Sequence, residues 1–215
     1  MALYAELIGL GNTVVEVGGH IGFVSLYYSK LVGNDGFVYV FEPGENNLKY
    51  IRENIKEEKN ISLIEKAAND YTGTVDFYIE NLTGQNNSIL KDFSVLEKNI
   101  ASQRASNIKR TKKIVKCISL DDFVKDIDTT PEFIKIDVEG AELNVLQGMK
   151  EILKDNLILM VEVTENKEEV YNLLSSYNYM LFTPNKRKIE SYNELSSDTF
   201  AIKKTHKLFE KVFNN

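Results

Sequence analysis

At 215 residues the chain suits one domain and is long enough to bury a substantial core. Hydrophobic residues make up 43% and charged residues 27%, no apolar run is long enough to span a bilayer, and Met1 opens no secretory signal. The lone Cys117 excludes an internal disulfide and a cysteine metal cluster, which makes a reducing, cytoplasmic setting the expectation, and a net charge of −6 argues against nucleic acid as partner.

The apolar pattern alternates along the chain. Thr13–Val17 reads as a short buried strand that ends in glycines, and Ile21–Val32 as a helix with Ile21, Val24, Tyr28 and Leu31 on one face. Phe37–Glu42 is a second strand, Leu48, Ile51 and Ile55 mark a second helix, and Ile61–Ala67 is a third strand. Val75, Phe77 and Ile79 alternate with polar residues as in a half-exposed strand. Periodicity is then lost over residues 81–112, a length that in a compact domain points to a lid or substrate loop. It returns at Lys113–Ile118, in a strand at Phe133–Asp137, and in a helix through Val145, Leu146, Met149 and Ile152. Leu157–Val163 is a further strand, and the helix after it carries Val170, Leu173, Leu174 and Tyr177. Tyr179–Phe182 and Thr199–Lys203 supply two last strands, the final one antiparallel. Strands alternating with helices predict one α/β domain, doubly wound around a mostly parallel seven-stranded sheet.

The turn Glu16-Val17-Gly18-Gly19-His20-Ile21-Gly22 joins the first strand to the first helix. Glycines there let backbone approach a ligand, and the helix start offers unpaired N–H groups. The dinucleotide pattern G-x-G-x-x-G is absent, and an acid ahead of the glycines suits an ammonium or sulfonium ligand better than a pyrophosphate. Taken alone, the heptapeptide could equally be a plain tight turn. Glu42 decides between the two. It ends the second strand 24 residues after Gly18, where an acid in doubly wound folds accepts hydrogen bonds from a ribose diol. Asn69 or Asp70, after the third strand, could bond the amine of an adenine ring, although Asn-Asp is also a common turn. The expected cofactor contacts are therefore Glu16, Gly18, His20, Gly22, Glu42, Asn69, Asp70 and Asp137.

The run Phe133-Ile134-Lys135-Ile136-Asp137-Val138-Glu139-Gly140-Ala141-Glu142 resembles the FkbM family of methyltransferases, whose pattern there is I-K-I-D-V-E-G-A-E. Phe41-Glu42-Pro43 matches the family's F-E-P, and Ser119-Leu120-Asp121-Asp122 is similar to its T-L-D segment. The resemblance covers about 150 residues, from Thr13 to Val163. One departure stands out: the family reads D-x-G-A-N-x-G where this chain has Glu16, Gly19 and His20. The resemblance implies the Rossmann-like methyltransferase sheet, S-adenosylmethionine as cofactor, and O-methylation of a sugar, glycan or polyketide-type hydroxyl.

Strand alternation puts Lys135 and Asp137 on one face, with Ile134 and Ile136 on the other. Glu139 and Glu142 are expected in the first helical turn, where they complement the helix dipole. A buried Lys135 needs an acid, and Asp137, Glu139 and Glu162 are within its sequence reach. Asp137, Glu139, Lys135 and Glu162 thus form the candidate catalytic group, with Asp137 or Glu162 as base and Glu139 or Lys135 orienting it. A divalent ion held by two of the carboxylates would serve equally, and His20 is the other neutral-pH base nearby. Lys98, Arg104, Lys109, Arg110, Lys112, Lys113 and Lys116 form a basic stretch without an acid, either a solvated loop or a lid for an anionic acceptor. Leu208, Phe209, Val212 and Phe213 are expected to pack on the sheet or to join copies of the chain. An NAD-dependent oxidoreductase and a non-catalytic nucleoside-binding module are the alternatives to a methyltransferase.

Overall fold

The computed structural model describes residues 2–81, 83–93 and 109–213. The first half runs α1 (Ala2–Leu7), β1 (Thr13–Val17), α2 (Phe23–Val32), β2 (Phe37–Phe41), α3 (Glu45–Ile55) and β3 (Ile61–Ile64). A middle section holds β4 (Ala67–Ala68), β5 (Gly73–Glu80) and β6 (Arg110–Ile118). The second half runs α4 (Leu120–Ile127), β7 (Phe133–Ile136), α5 (Glu142–Gln147), β8 (Ile158–Glu162) and α6 (Lys167–Ser176). It closes with β9 (Tyr179–Phe182), β10 (Lys188–Ile189), β11 (Asp198–Lys203) and α7 (Phe209–Phe213).

The main sheet has the order β10-β9-β11-β8-β7-β1-β2-β3. Its strands from β8 to β3 are parallel, whereas β11 runs antiparallel to both β8 and β9. The two-residue β10 adds an eighth strand at the edge beyond the seven expected. Winding proceeds from β1 outward through β2 and β3, then restarts at β7 on the other side of β1. Strand order therefore reverses between β1 and β7, and the crevice above their carboxyl ends is where open α/β sheets bind ligands.

Alternation splits the buried side chains between two faces. Val15, Val17, Ile134, Ile136, Leu159 and Val161 meet Leu120 and Phe123 of α4 and Val170 and Leu174 of α6. Val14, Phe133, Ile158, Met160, Phe200 and Ile202 face α1, α2 and α7. α1 has no forecast in the sequence pattern, yet Leu3, Tyr4 and Leu7 are buried, with the Tyr4 ring edge-on to Tyr28 and Phe133. In the C-terminal tail Phe209, Val212 and Phe213 are buried on this chain's own sheet, Phe213 against Phe182 at 4.4 Å, so those side chains are not free to join copies of the chain.

Several expectations need correction. The third strand stops at Ile64, and Ala67–Ala68 leaves the main sheet to pair with β6. β5 and β6 form a long antiparallel pair in that second sheet, from Gly73 beside Cys117 to Glu80 beside Arg110. The basic residues from Arg110 onward therefore lie on a strand, not in a loop. The helix expected through Ile152 ends at Gly148, and Ile152–Lys154 is a separate 3-10 turn. Asp121 explains that turn, because its carboxylate accepts the backbone N–H groups of Glu151 and Ile152 at 3.0–3.1 Å. α4 starts at the family-like segment, with Ser119 Oγ accepting from the Asp122 N–H at 3.1 Å as an N-cap.

Candidate active site

A cavity of about 310 Å³ opens above the β1/β7 junction, within the roughly 300–1,000 Å³ typical of small-molecule sites. Val17, Gly18 and His20 enter it from the first turn, and Phe41, Glu42 and Pro43 from the end of β2. Asp137 and Glu139 enter from the end of β7, and Glu162 from the end of β8. Each polar wall residue thus stands at or just past a strand's carboxyl end, as the parallel topology dictates.

The turn after β1 is shaped by close contact. Gly18 has φ +90°, and a Cβ there would lie 1.7 Å from the Asp137 carbonyl oxygen. A Cβ at Gly19 would lie 2.2 Å from the Val40 side chain, so the chain's departure from the family's alanine matches the valine facing it. His20 has φ +49°, a left-handed conformation that asparagine and histidine tolerate better than most residues. The family's Asn and this chain's His are thus alternatives for one backbone geometry. The His20 N–H donates to Glu42 Oε2 at 2.8 Å, and its Nε2 lies 3.0 Å from the Thr83 carbonyl oxygen.

Glu42 is buried, and its other oxygen accepts the Gly44 N–H at 2.7 Å. Burial pushes its carboxyl up to about 7 despite those two donors.

Glu16, Gly22, Asn69 and Asp70 are not brought to the cavity wall. Glu16 is 1% exposed and faces α2, where it accepts from Ser25 Oγ, with Lys135 Nζ 3.6 Å from its other oxygen. The strand register makes this pairing, because Glu16 and Lys135 are direct neighbours on β1 and β7. The ammonium that Glu16 seemed to await from a ligand is supplied by the chain itself. Gly22 faces Ile51 and Ile55 of α3. Asn69 is buried, Asp70 is exposed, and the wall beside them is formed by Ala67 and Ala68.

Lys135 donates to Asp137 Oδ2 at 2.8 Å, so of its three sequence candidates Asp137 is the partner, with Glu16 added from β1. Burial opposes the Asp137 charge, but the adjacent Lys135 ammonium holds the carboxyl below its ordinary value. Glu162 stands next to it on β8, and its hydrogen bond to Asp137, together with burial, raises its carboxyl well above the usual range. Glu139 does not start a helix. It has φ +53° and Gly140 has φ +93°, and this kink delays α5 to Glu142. Burial, then the charges of Asp137 and Glu142, push Glu139 up to about 7. Glu142 lies in the first turn of α5 as expected, is fully buried, and accepts the Gly140 N–H at 2.8 Å. One carboxylate oxygen from each of Asp137, Glu139 and Glu162 lies within 4.8 Å of the other two.

More of the wall comes from β5 and from the segment after it that the periodicity left blank. Phe77 on β5, then Gly84, Gln85, Asn87 and Ile89, cover the cavity. Buried Glu80 anchors this cover by accepting from the Thr83 N–H at 2.7 Å, the Thr83 hydroxyl at 2.8 Å and the Gly84 N–H. Ser88 pairs with Tyr78 as an isolated bridge and donates its hydroxyl to the Glu139 carbonyl at 2.8 Å. The signal for a functional segment was its loss of period, but nothing local marked which side chains would turn inward. Of the basic stretch, Lys98 and Arg104 lie outside the described residues. Lys112 pairs with Asp76 at 2.7 Å and Lys113 with Glu45 at 3.4 Å. Arg110 stacks on Tyr78 and Phe93 and donates to the carbonyls of Lys91 and Tyr78. These three cations are engaged within the protein, whereas Lys109 and Lys116 are exposed.

A model of the family described as "Methyltransferase FkbM domain" matches residues 16–181, from Glu16 to Leu181. The chain belongs to the FkbM methyltransferase family. No curated protein matches its sequence. In fold, this FkbM methyltransferase is similar to a Clostridium thermocellum protein assigned as an rRNA methylase, with TM-score 0.55 and 12% identity over 95% of this chain and 93% of the other. It is also similar to Aeropyrum pernix fibrillarin, solved with S-adenosyl-L-methionine bound, with TM-score 0.51 and 11% identity over 94% and 73%. A third likeness is to a precorrin-6y C5,15-methyltransferase from Geobacter metallireducens, with TM-score 0.50 and 14% identity over 94% and 87%. At these identities the likeness is one of fold. Among the described residues no helix is long and apolar enough to cross a membrane.

Proposed function

We propose that this FkbM methyltransferase moves a methyl group from S-adenosylmethionine to a hydroxyl of a neutral small molecule of sugar, glycan or polyketide type. The observation that carries the reading is the meeting of Asp137, Glu139 and Glu162 at the switch point, beside a nucleoside-sized cavity. The residues present fit the cofactor. Buried Glu42 would hold the ribose diol, the wall at Gly18 and His20 the amino-acid end, and Phe41, Ala67 and Ala68 the base. When bound, S-adenosylmethionine supplies an electrophilic methyl group. The protein's own residues then have two tasks, which are to align the acceptor oxygen and to take its proton.

Alignment by a shaped cavity can supply about 7–11 kcal/mol, and a positioned base roughly 10²–10⁴-fold. Lys135 fixes a negative charge on Asp137, and that charge, with burial, brings Glu139 to about 7. We assign the acceptor proton to Glu139, which lines the cavity with Asp137 and Glu162, in place of the Asp137 or Glu162 expected from sequence, and those two orient the hydroxyl. A divalent ion on the same three oxygens is the second reading, and it would act by acidifying the hydroxyl. The cavity wall holds the charged Asp137 and three further carboxyls but no lysine or arginine, which favours a neutral acceptor over nucleic acid.

Calorimetry with S-adenosylmethionine and with NAD tests the cofactor, and binding of NAD alone would overturn the reading. Incubation with S-adenosylmethionine carrying a ¹³C methyl and a panel of glycosides and macrolactones tests the acceptor. The carbon shift of the product should report an O-methyl group, whereas an N- or C-methyl product contradicts the proposal. Persistence of turnover in chelator separates the base from the ion.

A further inference from the structure

We infer that Gln85 is a specificity residue of the cofactor site and recognises the amino edge of the adenine ring. The inference rests on the nucleoside reading of the cavity and adds a contact to it. Asn69 and Asp70, the residues placed by sequence to meet the base, do not reach the wall, which is lined there by Ala67 and Ala68. That apolar floor, continued by Phe41, Phe77 and Ile89, can hold a flat ring but cannot tell one purine from another.

The neutral hydrogen-bonding side chains in the wall, besides His20, are the amides of Asn87 and Gln85. Asn87 is committed: its Oδ1 accepts the Glu80 N–H at 2.9 Å, and its Nδ2 donates to Asn46 Oδ1 at 2.9 Å. Gln85 differs. Its backbone N–H bonds Thr83 Oγ1 at 3.2 Å, but its amide has no hydrogen-bond partner among the described residues.

The backbone on either side of Gln85 is held fast. Gly84 is tied to Glu80 through its N–H and to Asn47 Nδ2 through its carbonyl at 3.1 Å. The segment borders the cavity from Thr83, 3.0 Å from His20 Nε2, to Asn87 beside Gly44. A Cβ at Gly44 would meet Asn87 Nδ2 at 2.6 Å and Glu42 Oε1 at 2.7 Å, so the loop and the ribose-binding acid flank the same glycine. It crosses to Glu139 only at Ser88. A free amide on a fixed loop beside Glu42 offers one acceptor and two donors, the complement of an adenine amino group and its neighbouring ring nitrogen.

The test is a binding cycle that needs no acceptor. Wild type and Gln85→Leu are titrated with S-adenosylhomocysteine and with its analogue lacking the 6-amino group. Wild type should prefer the amino compound by about three- to tenfold, the worth of one net hydrogen bond. In Gln85→Leu that preference should fall to about onefold, through weaker binding of the amino compound. A full preference retained in Gln85→Leu, or no preference in wild type, overturns the inference and leaves the cofactor reading intact. Failure of wild type to bind either compound overturns the cofactor reading itself, and the inference with it. Because Gln85 is exposed and makes no side-chain contact that holds the fold, the variant is expected to match wild type in thermal unfolding.

Discussion

A Cβ at Gly18 would sit 1.7 Å from the Asp137 carbonyl, at a backbone φ of +90°. Gly18→Ala therefore forces two strand ends apart, and it should cost about 3 kcal/mol from overpacking and backbone strain together. Urea unfolding measures the loss, and a shift below about 1 kcal/mol would mean that the turn relaxes freely. Lys135 presents a different case, a buried cation between two acids. Lys135→Met leaves Glu16 and Asp137 without their counter-ion, so it should destabilise by about 3–5 kcal/mol. Adding Glu16→Gln removes one orphaned charge and should recover part of that loss, an interaction that a double-mutant cycle reads directly. Independent, additive effects would show that the two side chains do not share one electrostatic site. The sequence signalled that Lys135 needed an acid, but Glu16 as a second partner depends on β1 and β7 lying side by side.

At the scale of elements, the stretch from Gly84 to Ile89 covers the cavity. Its anchor is one carboxylate, that of Glu80, which takes three donors at its start. Glu80→Gln should weaken those bonds and speed hydrogen exchange at the Thr83 and Gly84 amides by about tenfold, with little change in global unfolding. Unchanged exchange at both amides would show that the cover is held from elsewhere. The regular elements around it were legible in the sequence. β1, β2, β7 and β8 are buried on both faces and read as apolar runs, and α3 and α6 carry clear periodic stripes. The cover was legible as a segment, from its loss of period, but its fold was not, because that depends on Glu80, Asn46, Asn47 and Asn87 meeting across 34 to 41 residues. The end of α5 at Gly148 escaped for a similar reason, since the Asn69 carbonyl packs against that glycine.

At the scale of the whole molecule, burial of acid around one cavity makes stability depend on pH. Glu42, Glu139 and Glu142 are each raised from 4.5 to about 7, chiefly by burial. The folded state then keeps protons that the unfolded chain releases. The stability these groups contribute is complete below about 4.5 and is lost as pH rises through about 7. His206, whose burial lowers its affinity for a proton, opposes the trend in part of the same window. Thermal unfolding should show Tm falling between pH 5 and pH 8, with a shallower fall in Glu42→Gln. A Tm that rises across that interval contradicts the assignment. Binding should run the other way. If ribose hydroxyls donate to the Glu42 carboxylate, S-adenosylhomocysteine affinity should increase as pH rises through about 7, and Glu42→Gln should flatten the profile.

The sequence by itself determined the doubly wound class, the mostly parallel sheet, the family and the strand ends that build the site. Those features follow from local periodicity and from short motifs, in which each residue's neighbours along the chain set its role. The tertiary structure alone decided that Glu16 turns inward to Lys135 and that Asn69 and Asp70 miss the cavity. It also decided that the basic strand spends Arg110, Lys112 and Lys113 on the protein itself, and that Gly84, Gln85, Asn87 and Ile89 line the cavity. In each of these the deciding partner is distant in sequence, so the contact exists only once the sheet order brings two segments together.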